Sequence, residues 1–241
     1  MHALKKQFKE NTFNIQKTFS SKKNNVFLSY VPDSYKPLVI KQYATSIHTL
    51  AYEHTLLTFL YEKGVRVPQI YYKGDDFIAM SYVSGLSLVE IIEELEKTFI
   101  ATTLSYHAKK IVVPLVTWLT HYYASIKTFD PSPVILNDVN LRNFILTPAG
   151  ITGVDFEDCT AGDIETDIGK ICAFILTYTP MFTSLKIALV QCFLKYTLTA
   201  LPLCKQKTNH AYLQEIQAII QRRGYTLNRL PSYFNSMLEM I

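Results

Sequence analysis

The chain is poor in glycine, with only 8 in 241 residues, and none of its four cysteines, Cys159, Cys172, Cys192 and Cys204, forms a Cys-x-x-Cys pair. Scarce glycine argues against a loop-rich fold. Without paired cysteines, or a histidine at zinc-ligand spacing, a structural zinc site is not expected. The cysteines read as buried thiols in a reducing cytoplasm. Long hydrophobic runs are also missing. The most apolar stretch, Ile171 to Cys204, is interrupted by Pro180, Lys186 and Lys195. It falls short of the ~18 uncharged residues that span a bilayer. The opening MHALKKQFKENTF has no apolar core of a signal peptide, so none is expected. Charge of one sign is not concentrated either. The net charge is +4 and the lysines are scattered, apart from Lys5–Lys6 and Lys22–Lys23. That is a solvated basic face rather than the footprint of a nucleic-acid binder.

What is present is core-forming material. Hydrophobic residues make up 49% and charged residues 18%, which predicts a well-packed core in one large domain or two small lobes. The first third reads as short strands, Phe13–Ser20, Val26–Val31 and Leu38–Tyr43, joined by polar turns into an antiparallel meander. A helix is expected from Ser46 to Lys63, closed by Gly64, because Leu50, Leu56, Leu57 and Leu60 keep a 3.6 period. Ile70–Lys73 and Phe77–Ser81 flank a Gly74-Asp75-Asp76 hairpin signal. Beyond Ser84-Gly85 helices dominate. A capping box at Ser87-Leu88-Val89-Glu90 opens a helix to about Lys97. A longer helix follows over Thr103–Thr128, with a kink or boundary at Pro114. Further helices are expected near Asp163–Tyr178, Phe182–Leu201, Asn209–Arg222 and Pro231–Met240. The break at Tyr82–Gly85 reads as a hinge between a β-rich and an α-rich lobe, whose cleft is a favoured place for a ligand.

The chemistry concentrates between Asp138 and Asp155. In Asn137-Asp138-Val139-Asn140-Leu141-Arg142-Asn143 an Asp precedes an Asn by five residues, the spacing of a kinase catalytic loop. Such an Asp accepts the proton of an attacking hydroxyl, while the Asn carbonyl oxygen reaches a metal ion. Twelve residues after Asn143, the apolar strand Ile151–Val154 ends in Asp155-Phe156, the arrangement of a second metal-binding element whose carboxylate holds Mg2+ against nucleotide phosphates.

Together with Gly162-Asp163-Ile164-Glu165-Thr166-Asp167-Ile168, these segments resemble the aminoglycoside phosphotransferase and choline kinase family, over most of the chain. The resemblance implies an α+β, protein-kinase-like two-lobe fold, with an antiparallel β-sheet N-lobe carrying one helix and a mainly α-helical C-lobe. Residues 1–83 would form the nucleotide-binding lobe and 84–241 the catalytic and substrate-binding lobe. It implies a small-molecule kinase using ATP and Mg2+, with Asp138 as catalytic base and Asn143 and Asp155 as metal ligands. Lys41, in Val39-Ile40-Lys41, would touch the α- and β-phosphates, with Glu53 as its partner and Glu62 as a competitor. The alternative for Lys41 is an exposed strand lysine. Backbone groups near Ser81 and Val83 would bond adenine. Asp167 would brace the catalytic loop, and Asp163 competes for the helix-capping role.

The chain also departs from that pattern. Leu136 and Asn137 stand where the family has His and Gly, and no glycine-rich phosphate loop occurs. Ser21, Lys22 or Asn24 would approach a phosphate instead, or belong to a plain solvated turn. Only eleven residues separate Asp155 from Asp167, too few for a protein-substrate platform, so a small-molecule hydroxyl is the expected acceptor. From Ile168 onward there are eight basic residues against Glu215 and Glu239. A polycationic acceptor would want more carboxylates. Tyr178, Phe182 and Tyr196 would stack on an acceptor or sit in the core. The competing functional reading is a pseudokinase, a nucleotide-binding or scaffold module without turnover. No nucleic-acid or membrane partner is expected, and oligomeric state is left open.

Overall fold

Alternation along one strand arranges the first third of the chain. In Pro37–Tyr43 (β3), successive side chains point to opposite faces of the sheet. Leu38 and Ile40 join Phe27, Phe77 and Ala79 in one apolar cluster. Val39 and Tyr43 pack on the other face with Leu50, Ile78 and Met80. Leu50 belongs to the helix Ile47–Glu62 (α1), so the odd-numbered face of β3 is the helix-bearing one, and Lys41 shares it.

The computed structural model describes residues 13–21, 23–30, 36–44, 47–98, 104–130 and 132–224. Lys22 and the helix expected at Pro231–Met240 lie outside them. The chain divides into two units, 1–84 with 152–157, and 85–151 with 158–241.

In the first unit, β1 (Ile15–Phe19), β2 (Asn24–Tyr30), β3, β4 (Ile70–Lys73) and β5 (Phe77–Ser81) form one antiparallel sheet in the order β1-β2-β3-β5-β4. Lys41 is paired with Val26 on one side and Ile78 on the other. The strand begins at Asn24 rather than after Asn25, because both asparagines find partners across the ladder, Tyr43 and Gln42. Helix α1 stops where its periodicity stops. Gly64 takes a positive φ of 76°, and Val65 N–H reaches back to Leu60 O at 3.0 Å.

In the second unit, β6 (Leu86–Ser87) leads into α2 (Leu88–Thr98). The capping box forms as expected: Glu90 N–H donates to Ser87 Oγ, and Ser87 N–H donates to Glu90 Oε2 at 2.7 Å. Helix α3 (Leu104–Ile126) runs through Pro114 without a boundary. The carbonyl that the proline leaves unbonded belongs to Lys110, an exposed residue that water can reach. There follow β7 (Val134–Ile135), a 3-10 turn at Leu141–Asn143, β8 (Phe144–Thr147), β9 (Gly150–Gly153), whose last two residues are counted with the first unit, β10 (Thr160–Ala161), α4 (Ile164–Thr177), α5 (Ser184–Ala200) and α6 (Lys205–Arg223). Strand β8 pairs with β6, and β10 with β7. Helix α6 begins four residues before its expected start. Its first turn has no apolar period, but it anchors through Thr208, whose hydroxyl donates to Cys204 O at 3.0 Å. Helices α4 and α6 approach closely at Gly169, where an added Cβ would fall 2.6 Å from the Tyr212 nitrogen. Among the described residues no helix is long and apolar enough to cross a membrane.

Candidate functional site

Two groups of polar residues answer to the motifs, one in each unit. In the first unit, Lys41 is almost fully buried, 5% exposed, and so is not an exposed strand lysine. Its Nζ lies 2.8 Å from Glu53 Oε2, 2.6 Å from Asp155 Oδ1 and 3.0 Å from Glu157 Oε2. Helix α1 supplies Glu53 from its inward face, and Glu62 is not the partner. Glu53 also accepts from Tyr43 Oη at 2.5 Å and from the Phe156 N–H at 3.0 Å. The Phe156 bond ties the segment after β9 to the helix. Glu157 accepts from the Asn24 side chain and lies 3.8 Å from Lys23 Nζ.

The electrostatics of this cluster run in opposed directions. Burial works to lower the Lys41 pKa, but Glu53, Asp155 and Glu157 outweigh it and raise it, so the ammonium persists at neutral pH. Burial pushes the Glu53 carboxyl up, against the pull of Lys41. Tyr43 is raised by burial and by the adjacent Glu53 carboxylate, which keeps its hydroxyl protonated. Asp155 differs from its neighbours. Its side chain is 44% exposed, and its backbone sits at φ 65°. A left-handed non-glycine residue is a strained conformation, and such residues gather where the surrounding structure holds them for a purpose.

In the second unit the loop 136–143 is held mainly through its backbone. Asp167 on α4 is fully buried and accepts three bonds: Leu136 N–H at 2.7 Å, Asn137 N–H at 2.9 Å and Tyr123 Oη at 2.7 Å. Burial raises its pKa to about 6, although those donors and Lys170 pull the other way. Asn137 is left-handed, at φ 63°. Asp138 is half-buried and its Oδ1 accepts from Asn140 N–H at 3.2 Å. Asn143 donates its side-chain amide to Asp138 O at 3.1 Å, which leaves its Oδ1 as the acceptor atom. Asn140 caps the 3-10 turn by accepting from Arg142 N–H. Tyr178, just past α4, donates to Asn140 Oδ1 at 3.0 Å and accepts from Leu141 N–H at 3.1 Å. Burial lifts its pKa to about 12.

The structure thus brings Lys41, Glu53 and Asp155 together in one unit. Asp138, Asn143 and Asp167 lie along one loop and its supporting helix in the other. Ser81 closes β5 with its amide already committed to Gln69 O at 2.8 Å and its hydroxyl accepting from Gln69 N–H. Val83 lies beyond the strand end, partly exposed. Asn24, expected at a phosphate or in a plain turn, starts β2 instead. Asp163 stands at the α4 N-cap without a side-chain capping bond, and pairs with Lys207 at 2.8 Å.

Tyr43, Lys170 and Tyr123 went unread in the sequence. Tyr43 follows Lys41 by two positions on one strand, a spacing that places them on the same face, whereas Glu157 follows the left-handed Asp155 in a turn and had no such periodicity. Lys170 follows Asp167 by three on a helix, also one face. Tyr123 and Tyr178 carried no such signal. Tyr178 bonds the loop rather than being only core or a stacking surface.

No family model matches the chain, and no curated protein matches it in sequence. Among solved structures it resembles that of the amicoumacin kinase hAmiN in complex with AMP-PNP, Ca2+ and Ami, with a TM-score of 0.64 at 13% identity. That likeness covers the whole of this chain and 94% of the other. At that identity the likeness is one of fold. The chain is α+β with a protein-kinase-like two-lobe fold, its N-terminal lobe an antiparallel sheet with, among the described residues, one helix, and its C-terminal lobe mainly helical.

Proposed function

We propose that this chain is a small-molecule kinase, moving the γ-phosphoryl group of ATP to an alcohol. The observation that carries the proposal is the Lys41 ammonium, buried on β3 and bound to Glu53 and to the left-handed Asp155 at 2.8 and 2.6 Å. A buried, pinned cation beside a partly exposed carboxylate suits a nucleotide phosphate and its metal.

The residues also fit a divalent cation. Glu53, Asp155 and Glu157 bring ligand oxygens within 4.8 Å of one another. Three carboxylates against the ammoniums of Lys41 and, at 3.8 Å from Glu157, Lys23 leave excess negative charge, and carboxylate oxygens are the donors a hard cation prefers. Asp155, the exposed member, would be the ligand, with Asn143 through the Oδ1 that its bond to Asp138 leaves available. When bound, Mg2+ would neutralise charge on the phosphoryl being moved. Asp138 would take the proton of the acceptor hydroxyl as that oxygen bonds to phosphorus and the bond to ADP breaks. Lys41 would hold the non-transferred phosphates, with Glu53 keeping it in place. Backbone groups at Ser81 and Val83 would meet the adenine, and Asp167 would brace the Asp138 loop. This reading assigns the nucleotide to residues 1–83 and the acceptor to 84–241, although Asp155 packs with the former. The amicoumacin kinase structure, with its nucleotide analogue and Ca2+, supports the nucleotide and metal parts of this reading.

The short Asp155–Asp167 interval and the basic C-terminal third favour a small neutral or anionic alcohol. Nothing in the charge pattern favours nucleic acid as a partner. The four free thiols suit the cytoplasm.

The test is ATP consumption with Mg2+ across alcohols, amino sugars and choline-like acceptors, comparing wild type with Asp138→Asn. Loss of a general base should lower kcat by ~10²–10⁴. Equal rates in both proteins would reject Asp138 as the base. Tight Mg2+-dependent ATP binding with no turnover would favour the scaffold reading, and no ATP binding at all would end both.

A further inference from the structure

We propose that Lys170 is a positioning residue for Asp138, acting by holding the left-handed Asn137 in place. The inference rests on the kinase reading for its functional consequence, and on geometry for the rest. Asn137 is the centre of a tight turn closed by Asp138 N–H to Leu136 O at 2.8 Å. Its φ of 63° is one that side chains disfavour, though asparagine tolerates it better than most. A turn of this kind persists only where its surroundings over-determine it.

Here the surroundings are two side chains one turn apart on α4. Asp167 takes the Asn137 N–H at 2.9 Å. Lys170 takes the rest: its Nζ donates to Asn137 Oδ1 at 2.6 Å and to Asn137 O at 3.1 Å. The N–H, the carbonyl and the side-chain oxygen of Asn137 are therefore all engaged from one helix face, at i and i+3. Gly169 lets α6 pack closely behind that face, which fixes the helix that carries the clamp. Asp138 is the next residue, so rotation of the Asn137 peptide would swing its carboxylate. A glycine at 137 would adopt this φ without side-chain strain. An asparagine there brings strain, and with it an oxygen for Lys170 to grip. Clamp and left-handed residue form one device, and each should matter less without the other.

That interdependence is the test. Lys170→Met, Lys170→Arg, Asn137→Gly and the double change Lys170→Met/Asn137→Gly are compared by amide hydrogen exchange and by ATP turnover. Lys170→Met should speed exchange of the Asp138 amide roughly tenfold while leaving the β8 amides unchanged. It should lower kcat by about tenfold with the KM for ATP unaltered, since small misplacements of a reacting group are costly. Lys170→Arg should keep both values close to wild type. The double variant should recover both to within about threefold of wild type, because glycine needs no clamp. A general loss of packing would not be rescued by a glycine at 137. If Lys170→Met fails to fold, Lys170→Gln, shorter and uncharged, provides the same reading. Unchanged Asp138 exchange in the lysine variants, or no recovery in the double variant, overturns the proposal. A wild type that turns over no ATP would sink the kinase reading, while the exchange measurements would still decide whether Lys170 holds this turn.

Discussion

The Lys41 cluster and the Asp138 loop each present an acidic side chain beside a left-handed residue, but they are held by different forces. Around Lys41 the contacts are charge on charge, with one ammonium shared by Glu53, Asp155 and Glu157. Around Asp138 they are hydrogen bonds given by the backbone, with the Leu136 and Asn137 N–H groups donating to Asp167 and the Leu141 N–H donating to Tyr178 Oη. The first arrangement concentrates charge and leaves Asp155 partly exposed, where the proposed metal would meet it. The second fixes the course of a loop and, among the described residues, leaves the loop's own carboxylate outside any ion pair. A group meant to bind a metal gains from surrounding charge. Under the proposed reading, a group that moves a proton gains from exact placement and from a carboxylate held by a hydrogen bond rather than an ion pair. The two regions should therefore fail differently when cut.

The largest effect is expected at Glu53. Glu53→Ala removes acceptors from Lys41, Tyr43 and Phe156 together. Breaking a buried ion pair by removing one partner costs about 3–5 kcal/mol, which urea denaturation would measure. Asp155→Asn should cost far less, because its side chain is nearly half exposed. If the two variants lose similar stability, the cluster is a uniform salt-bridge network, and the separation of a structural from a metal-facing carboxylate is wrong.

Next is Asp167, where pH sharpens the contrast. Its pKa in the folded protein is about 6, above the ordinary 3.8. Between those values the folded chain holds a proton that the unfolded chain releases. Stability from this group is thus fully present below about pH 4 and is lost as pH rises through about 6. Two pK units correspond to about 3 kcal/mol. Tyr123, a donor to the carboxylate, can turn its hydroxyl to accept from the acid. Asp167→Asn lacks the titration and leaves one donor facing an amide NH2. Its destabilisation should be larger at pH 4 than at pH 7.5 by about that amount. Denaturation curves of both proteins at the two pH values would show it, and a difference independent of pH would refute the assignment.

How much of this was legible in the sequence follows the same division. The strand alternation of Val39, Lys41 and Tyr43 and the 3.6 period of α1 specify which face carries Lys41 and which helix faces it. That Lys41 faces the helix was therefore readable from pattern, while Glu53 as its partner, with Glu62 as competitor, came from the family resemblance. The Asp138–Asn143 spacing was readable too, because a turn of that length is a local property. The supports of the loop were not. Tyr123 comes from the far end of α3 and Tyr178 from the residue after α4, and only the packed helices bring them to residues 136–141. The early start of α6 escaped for a related reason. Its first turn is polar, and its anchors, Thr208 and the bond from Cys204 N–H to Glu165, are tertiary or capping contacts.

The smallest effect tests whether the loop is held at both ends or only at Asn137. Tyr178 reaches the far end, giving its proton to Asn140 and accepting from Leu141 N–H. Tyr178→Phe keeps the ring and removes both bonds, leaving Leu141 N–H without this acceptor. A hydrogen bond contributes about 1 kcal/mol net, so losing two should cost about 2 kcal/mol, below the cost of Glu53→Ala. Exchange of the Leu141 amide should rise while that of Asp138 stays near wild type, since Asp167 and Lys170 hold the other end independently. Were the Asp138 amide to loosen equally, the loop would be one cooperative unit, and its bracing could not be divided between the two ends of α4.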